Sequence, residues 1–312
     1  MKKTDAYMLR KRAGQGAVSL MRLVFLTGIG FYILYPLFIK LMAALMQQSD
    51  IYDATVSVVP KNFTLENFKL VFEVMKFPQA FTNSLLLSVF VMVLQITSSL
   101  LVGYGFGKFD FPFKKLVFAL GIFMLLVPPQ IMIFPQYLNY VNFDLLGIFK
   151  AITGKKLNLI NTYFPFLFSS AFCTGTQGMM FVFMFRQYFR GVPKEIEEAA
   201  HIDGAGELMT FVKIMVPSSV PVTVCVAVLS FIWQWNDIFW SSRYLRGTSL
   251  LSVNLYALNA SVVSRLGTEP NLAYRAILNG TGAIMVILPL VIAYMFVQRL
   301  FIQSVERSGI VG

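Results

Sequence analysis

The chain has 312 residues, of which 57% are hydrophobic and 13% are charged. A soluble domain carries about 25% charged residues, so this composition excludes an ordinary water-soluble enzyme, and the many Phe and Met residues exclude a disordered chain. The formal net charge of +11 is spread over segment ends, which favours a membrane surface over nucleic acid as its counterion. We therefore expect an all-α membrane protein.

Six windows lack Asp, Glu, Lys and Arg and reach the roughly 17–25 residues that a helix needs to cross a bilayer. They are Leu23–Ile39, Phe77–Gly107, Leu116–Phe143, Leu157–Phe185, Ile214–Asn236 and Ala276–Gln298. Each window is continuously apolar rather than alternating, which excludes the strands of a membrane barrel. The sequence thus predicts six transmembrane helices, the first of which continues past Lys40 to Met46.

A basic cluster precedes the first window and predicts the orientation of the chain. It consists of Lys2, Lys3, Arg10, Lys11, Arg12 and Arg22, opposed only by Asp5. Basic residues flanking a first span favour the cytoplasmic side. The predicted regions are a cytoplasmic tail over 1–22, the first helix over 23–46, an extracytoplasmic loop over 47–80, a five-helix core over 81–303 and a cytoplasmic tail over 304–312.

Helix breakers interrupt two of the predicted spans. They are Pro128, Pro129 and Pro135 in the third window, and Gly175 and Gly178 in the fourth. Such breaks occur where protein or a polar cavity covers the freed backbone groups, but they also occur as simple packing kinks. The row Gly103, Gly105 and Gly107 predicts a close helix contact through small residues.

The segment 190–217, between the fourth and fifth windows, predicts a short cytoplasmic helix followed by a turn. Pro193 fits a first helical turn, and the acidic residues after it suit the positive end of a helix dipole. Gly204 is placed to end the helix in the left-handed conformation. Ile196, Ala199 and Ala200 have the spacing of a single helix face, which indicates a shallow docking surface. An ordinary helix lying on the bilayer is the alternative.

The spacing in this segment resembles a known family. It is similar to the "EAA" loop of bacterial ABC importer permeases. The matching pattern is Glu198-Ala199-Ala200, three residues, Gly204, nine residues, Ile214, one residue and then Val216-Pro217, with Val216 in place of the usual leucine. Other segments look like the carbohydrate-uptake, maltose-type branch: Asp203-Gly204-Ala205, Pro217 with Pro221, Asn83-Ser84, Trp235-Asn236-Asp237, the stretch 60–68 and the stretch 298–301. The tail departs from the family, because Ser304 and Val311 replace an expected glycine and lysine.

The resemblance implies a type I importer fold in the bacterial cytoplasmic membrane, with six spans and a cytoplasmic coupling helix. It implies four kinds of partner: a second homologous permease, two ATPase subunits, an extracytoplasmic solute-binding protein and a sugar or oligosaccharide. Carried onto this chain, the ATPase-coupling residues would be Ile196, Glu198, Ala199, Ala200, Asp203 and Gly204.

Polar and aromatic residues near two span ends are candidates for the substrate path. They are Asn83, Gln234, Trp235, Asn236 and Asp237. Indole rings stack on the apolar faces of sugars, while amides and carboxylates bond their hydroxyls. An interfacial aromatic belt and a simple helix cap are the alternatives.

The sequence offers no site for ATP hydrolysis. Its nearest imitation of a phosphate-binding loop, Gly154-Lys155-Lys156, lacks the first glycine and the Ser/Thr that holds magnesium, so we expect catalysis on another chain, and no cofactor, metal or catalytic residue on this one. An ion-coupled secondary transporter is the main alternative, although the windows contain no carboxylate or histidine for a proton relay. The second alternative is an ABC importer permease for a non-sugar solute.

Overall fold

The computed structural model describes residues 2–175 and 177–309, and the regular secondary structure of this part of the chain is helical, with two isolated antiparallel bridges. The helices are α1 (Lys2–Ala44), α2 (Glu66–Val74), α3 (Phe77–Lys108), α4 (Lys114–Leu126), α5 (Pro129–Val141), α6 (Ile148–Thr153), α7 (Phe164–Ala171), α8 (Gly178–Gly191), α9 (Lys194–Ile202), α10 (Glu207–Thr210), α11 (Val216–Ser218), α12 (Val220–Trp235), α13 (Ser241–Tyr244), α14 (Leu251–Tyr256), α15 (Leu258–Leu266) and α16 (Leu272–Gly309). A 3₁₀ turn covers Gln48–Tyr52, and a π-helical turn covers Phe211–Met215. The replaced tail residue Val311 lies outside the described residues.

The number of unbroken spans differs from the six that the windows predict. Three helices of the described chain are long and apolar enough to cross a membrane: Val18–Ala44, Phe77–Lys108 and Leu272–Ile302. Two bent pairs pass the same test, α4 with α5 at 105° and Glu207–Ser218 with α12 at 70°. By length and composition the structure therefore has three to five candidate spans. The first helix also begins at Lys2, well before the predicted start at residue 23.

The two windows with predicted breakers are both divided, although Pro135 lies inside α5 without ending it. Pro128 and Pro129 stand between α4 and α5, where their missing N–H groups end one helix and begin the next. The fourth window is interrupted between α7 and α8, where Cys173 adopts the left-handed conformation at φ +55°. A Cβ on Gly178 would lie 2.4 Å from the carbonyl oxygen of Cys173, so only glycine fits at this break. The fourth window is therefore two short helices.

The first of two compact units contains residues 1–74 and 258–285. Its buried Asn67 donates hydrogen bonds to the carbonyls of Ala44 and Met46 at 3.0 and 2.8 Å. These carbonyls lie at and just beyond the end of α1, where helical partners are missing. Asp50 accepts bonds from the backbone N–H groups of Lys61 and Asn62 and thereby closes the loop that precedes α2.

The second unit contains residues 75–257 and 286–312. Its main core packs α3 against α8, the π-helical turn and α12, around a set of buried aromatic and aliphatic side chains: Leu100, Tyr104, Phe181, Phe185, Phe189, Phe211, Met215, Val222 and Val226. Gly103 and Gly107 face α8 at very short distance, whereas a Cβ on Gly105 would meet nothing within 4 Å. Two of the three glycines in the predicted row thus permit the close helix contact.

Candidate functional site

The short helix α9 is closed by local hydrogen bonds at its C-terminal end. Gly204 has φ +85°, its N–H donates to the carbonyl of His201 at 3.0 Å, and the N–H of Ala205 donates to the carbonyl of Ala200 at 2.9 Å. This pair of bonds is the Schellman motif, which satisfies carbonyls that a helix end leaves free. The sequence therefore fixes both the length of α9 and the direction in which the chain leaves it.

The predicted coupling residues fall on two sides of α9 rather than on one. Ala200 is buried by its own chain, with 5% exposure, whereas Ile196 is 43% exposed and Ile202 is 86% exposed. Ala199 is exposed too, as are Glu198, Asp203 and Gly204. The prediction that Ala200 shares an open face with Ile196 and Ala199 is thus wrong, because α9 packs Ala200 inward. We call Ile196, Ala199 and Ile202 the free face of α9.

An ion pair on the inner side of α9 ties this helix to the end of α3. Lys108 Nζ lies 3.3 Å from Glu197 Oε2, and the two side chains are only 9% and 18% exposed. The same ammonium donates to the carbonyl of Val192 at 2.9 Å. The hydroxyl of Tyr104 donates to Glu197 Oε1 at 3.4 Å. We call Lys108, Glu197 and Tyr104 the latch.

The ring of Tyr104 connects the latch to the core of the second unit. It makes edge contacts with Phe109 and Phe189, at centroid distances of 5.4 and 5.2 Å, and a tilted contact with Phe211 at 4.7 Å. Aromatic contacts of this kind add stabilisation beyond buried area. Through Tyr104 the latch is therefore packed against α8 and the π-helical turn.

We expect Glu197→Gln to destabilise the assembled protein by about 1–3 kcal/mol, because it leaves the nearly buried Lys108 ammonium without its counter-charge. Glu195→Gln is the matched control, since Glu195 is an exposed carboxylate on the same helix and should change stability by no more than about 1 kcal/mol. Thermal unfolding of the purified complex measures both. Adding Lys108→Met should restore part of the loss, and equal effects of the two single changes would contradict the latch.

A cavity of about 430 Å³ lies in the second unit. Its walls come from α3, α5, α7, α8 and α12, together with the segments that follow α5, α7 and α12. Amides, hydroxyls and aromatic rings dominate this lining. The volume falls within the range of about 300–1,000 Å³ that small-molecule sites occupy.

Two of the five candidate path residues line this cavity, namely Gln234 and Asp237. The Asp237 carboxylate accepts hydrogen bonds from the N–H and the hydroxyl of Ser241, both at 2.7 Å, and from the N–H of Trp240 at 3.2 Å. Asp237 thus orders the start of α13. The amide nitrogen of Gln234 is buried and finds no hydrogen-bond partner within the described residues.

The other three candidates are not among the lining residues. Trp235 is 1% exposed, and its indole N–H donates to the carbonyl of Val286 at 3.2 Å. Asn236 bonds the carbonyl of Ile232 one turn back in its own helix. Asn83 donates to the carbonyl of Ser249 at 3.0 Å. In this conformation these side chains serve packing and helix ends, so their part in a substrate path stays a prediction.

Most of the cavity lining escaped the sequence analysis. Trp233 and Trp240 line it, as do amide side chains on α3 and α5 such as Gln95 and Asn139. The available signal was the pair of glycines in the fourth window, since Thr174, Gly175 and Gln177 line the cavity where that window breaks. The break of the third window at Pro128 and Pro129 lies away from the lining. Sequence alone left open whether those breaks were packing kinks.

Comparison with known proteins gives the chain a family. Residues 99–307 match the model of the binding-protein-dependent transport system inner membrane component. The arabinooligosaccharides transport system permease protein AraQ of Halalkalibacterium halodurans is 29% identical over 91% of this chain and 93% of its own. The sn-glycerol-3-phosphate transport system permease protein UgpE of Yersinia pestis is 28% identical over 88% of this chain and 92% of its own.

A solved structure supports the same fold. A chain in the crystal structure of a bacterial ABC transporter involved in the import of the acidic polysaccharide alginate superposes with a TM-score of 0.67, at 19% identity, over 91% of this chain and 96% of its own. The family match covers two thirds of the sequence, including the whole of the α9 segment. The chain belongs to the family of binding-protein-dependent transport inner membrane components, the non-catalytic permease subunits of ABC importers.

Proposed function

We propose that this chain is one of two permease subunits of a sugar importer in the bacterial cytoplasmic membrane. In this proposal six segments cross the membrane, with the third and fourth broken, and the N-terminus and α9 lie on the cytoplasmic side. Two ATPase subunits bind below, a second homologous permease lies alongside, and a solute-binding protein delivers the sugar from outside, next to the loop over residues 47–80. The basic N-terminal cluster supports this orientation.

The geometry of α9 carries the coupling part of the proposal. Its free face consists of Ile196, Ala199 and Ile202, a strip with a small residue between two exposed apolar ones. A strip of this shape suits close approach of a partner. On the opposite side the latch joins α9 to α3. An ATPase subunit that moves the free face would therefore displace the membrane helices through the latch. Closure of the two ATPase subunits would open the substrate path in this way.

Relatives and cavity chemistry support a sugar as the cargo. AraQ relatives are named for arabinooligosaccharides and UgpE relatives for sn-glycerol-3-phosphate, so family membership leaves the solute open. The cavity combines tryptophan rings with amide and hydroxyl groups, a combination that stacks on and hydrogen-bonds carbohydrate. Family membership also favours ATP-driven transport over the ion-coupled mechanism, with hydrolysis on separate subunits.

Gly204→Val tests whether the exit from α9 matters for coupling. At φ +85° a side chain costs about 1–2 kcal/mol, and a β-branched one fits worst. Because an added Cβ would meet no neighbouring atom, any effect comes from the backbone. We expect sugar uptake by the reconstituted importer, driven by its binding protein, to fall about tenfold.

Gly206→Val is the matched control for Gly204→Val. Gly206 lies two residues further on, with extended backbone at φ −73° and the same open surroundings, so Val fits there without strain. Uptake should stay close to that of the unchanged importer. Equal uptake by both variants, at equal amounts of assembled complex, would contradict the coupling role of the α9 exit.

A further inference from the structure

The charged side chains that line the cavity are both acidic. Among the described residues that line it, none is Lys, Arg or His, and two carry carboxylates, Asp144 and Asp237. Arg243 and Arg246 belong to a neighbouring segment but do not line the cavity, and their guanidinium groups stack on the rings of Phe239 and Tyr137. Arg243 is close enough to interact with the charge of Asp237 from behind the cavity wall. An anion entering this space would meet two carboxylates on the lining and no cation among its described residues.

Both carboxylates are already engaged by backbone donors. Asp144 accepts from the N–H groups of Phe149 and Lys150 at 3.1 and 3.3 Å, at the start of α6. Asp237 does the same at the start of α13. The side chains thus order two short helices, and they place acidic groups on the cavity wall. Desolvating an unpaired anion next to them would be strongly unfavourable.

The other polar groups of the lining are neutral. The lining includes six amide side chains, Gln95, Gln136, Asn139, Asn142, Gln177 and Gln234. Gln234 offers a buried amide nitrogen without a partner within the described residues, which is costly unless a ligand accepts from it. On the same helix Trp233 is 36% exposed and contacts Phe181 at 5.5 Å between ring centroids, so one of its faces is held in place.

We propose that this cavity is a subsite for an uncharged sugar, with Gln234 donating to a hydroxyl and Trp233 as a stacking surface, and that it discriminates against phosphorylated and uronic-acid solutes. The inference rests on the proposed function, since it gives the class of cargo for the same path. It separates this chain from relatives named for sn-glycerol-3-phosphate and from the importer of the acidic polysaccharide alginate, since both of those solutes are anions.

Thiol labelling of the assembled, nucleotide-free importer tests the charge of the cavity. Asn139→Cys places the thiol on an exposed lining position, and the unsubstituted complex gives the background from native cysteines. The rates are measured with a cationic and an anionic methanethiosulfonate reagent, each divided by its rate with free cysteine. We expect the cationic reagent to be favoured about tenfold or more. A preference for the anionic reagent would overturn the proposal.

Protection of the same thiol tests the class of ligand. Neutral probes, arabinotriose and maltotriose, should slow the labelling at millimolar concentration, whereas trigalacturonate and sn-glycerol-3-phosphate should not. Gln234→Leu should raise the concentration for half-protection about fivefold to tenfold. Thr223→Val, on the same helix but off the lining, should leave that concentration unchanged. Protection by the anions alone, or by none of the four probes, would overturn the proposal.

The labelling experiment tests the cavity independently of the coupling mechanism. It needs no ATP and no movement of α9, so it is unaffected if the coupling assignment fails. Conversely, a coupled importer whose thiol is protected only by anionic probes would leave the proposed ATP-driven transport intact and refute the neutral-sugar subsite alone.

Discussion

Gly103→Ala should destabilise the assembled importer, although alanine is the better helix former by about 1 kcal/mol. A Cβ at Gly103 would lie 2.4 Å from Cβ of Phe185, and 3.1 Å from both the N of Arg186 and the carbonyl oxygen of Val182. These atoms belong to the stem of a buried side chain and to helix backbone, so none can swing aside. The helices α3 and α8 must separate, and overpacking of this kind costs about 1–3 kcal/mol.

The same helix provides a graded set of controls. A Cβ at Gly107 would lie 2.9 Å from Cβ of Phe189, and a Cβ at Gly105 would meet nothing within 4 Å. The amount of complex that survives heating in detergent should therefore be lowest for Gly103→Ala, intermediate for Gly107→Ala and unchanged or raised for Gly105→Ala. Equal stability of all three variants would show that α3 and α8 do not approach closely in the assembly.

Ala199→Trp should abolish most transport without unfolding the protein. Ala199 is the small residue at the centre of the free face of α9, so an indole there holds a partner away while pointing to solvent in the isolated chain. We expect sugar uptake and the ATPase activity stimulated by the binding protein both to fall tenfold or more, since a misfit of about 1.4 kcal/mol already gives a factor of ten. Assembly with the second permease should persist.

Ala151→Trp is the control for this change, because Ala151 is an exposed alanine on the short helix α6. It should leave both activities close to those of the unchanged importer. Ala200 is unsuitable for the experiment, since at 5% exposure a larger side chain there would unpack α9 itself. Full activity of Ala199→Trp, or an equal loss in Ala151→Trp, would remove the free face from the coupling mechanism.

Local signals made the α9 segment predictable from sequence. A proline before the first turn, carboxylates within it and a glycine two residues after its last residue act through their immediate backbone neighbours, and the structure places α9 at Lys194–Ile202 with Gly204 at φ +85°. The side on which Ala200 lies was not predictable in the same way. It depends on which side of α9 faces the rest of the second unit, and on that side Glu197 contacts Lys108 and Tyr104, which lie far earlier in the sequence.

The cavity shows the other limit of sequence reasoning. Trp233, Gln234 and Trp235 are consecutive, yet the first two line the cavity and the third is buried against Phe81 and Phe231. Neighbours on a helix point about 100° apart, so composition identified the right stretch without identifying its inner side. The broken windows had a similar ambiguity, because a proline or glycine indicates a break without indicating what covers it.

Cross-linking from the free face of α9 tests the central claim most directly. With Ala199→Cys in the assembled importer, a short cross-linker with one thiol-reactive and one photoreactive group should attach to Cys at position 199 and then insert into an ATPase subunit, and Ala151→Cys should give no such adduct. The adduct should also form when the reagent reaches only the cytoplasmic side. A link to the solute-binding protein, or labelling of Cys at position 199 by an impermeant reagent added from outside, would contradict the account.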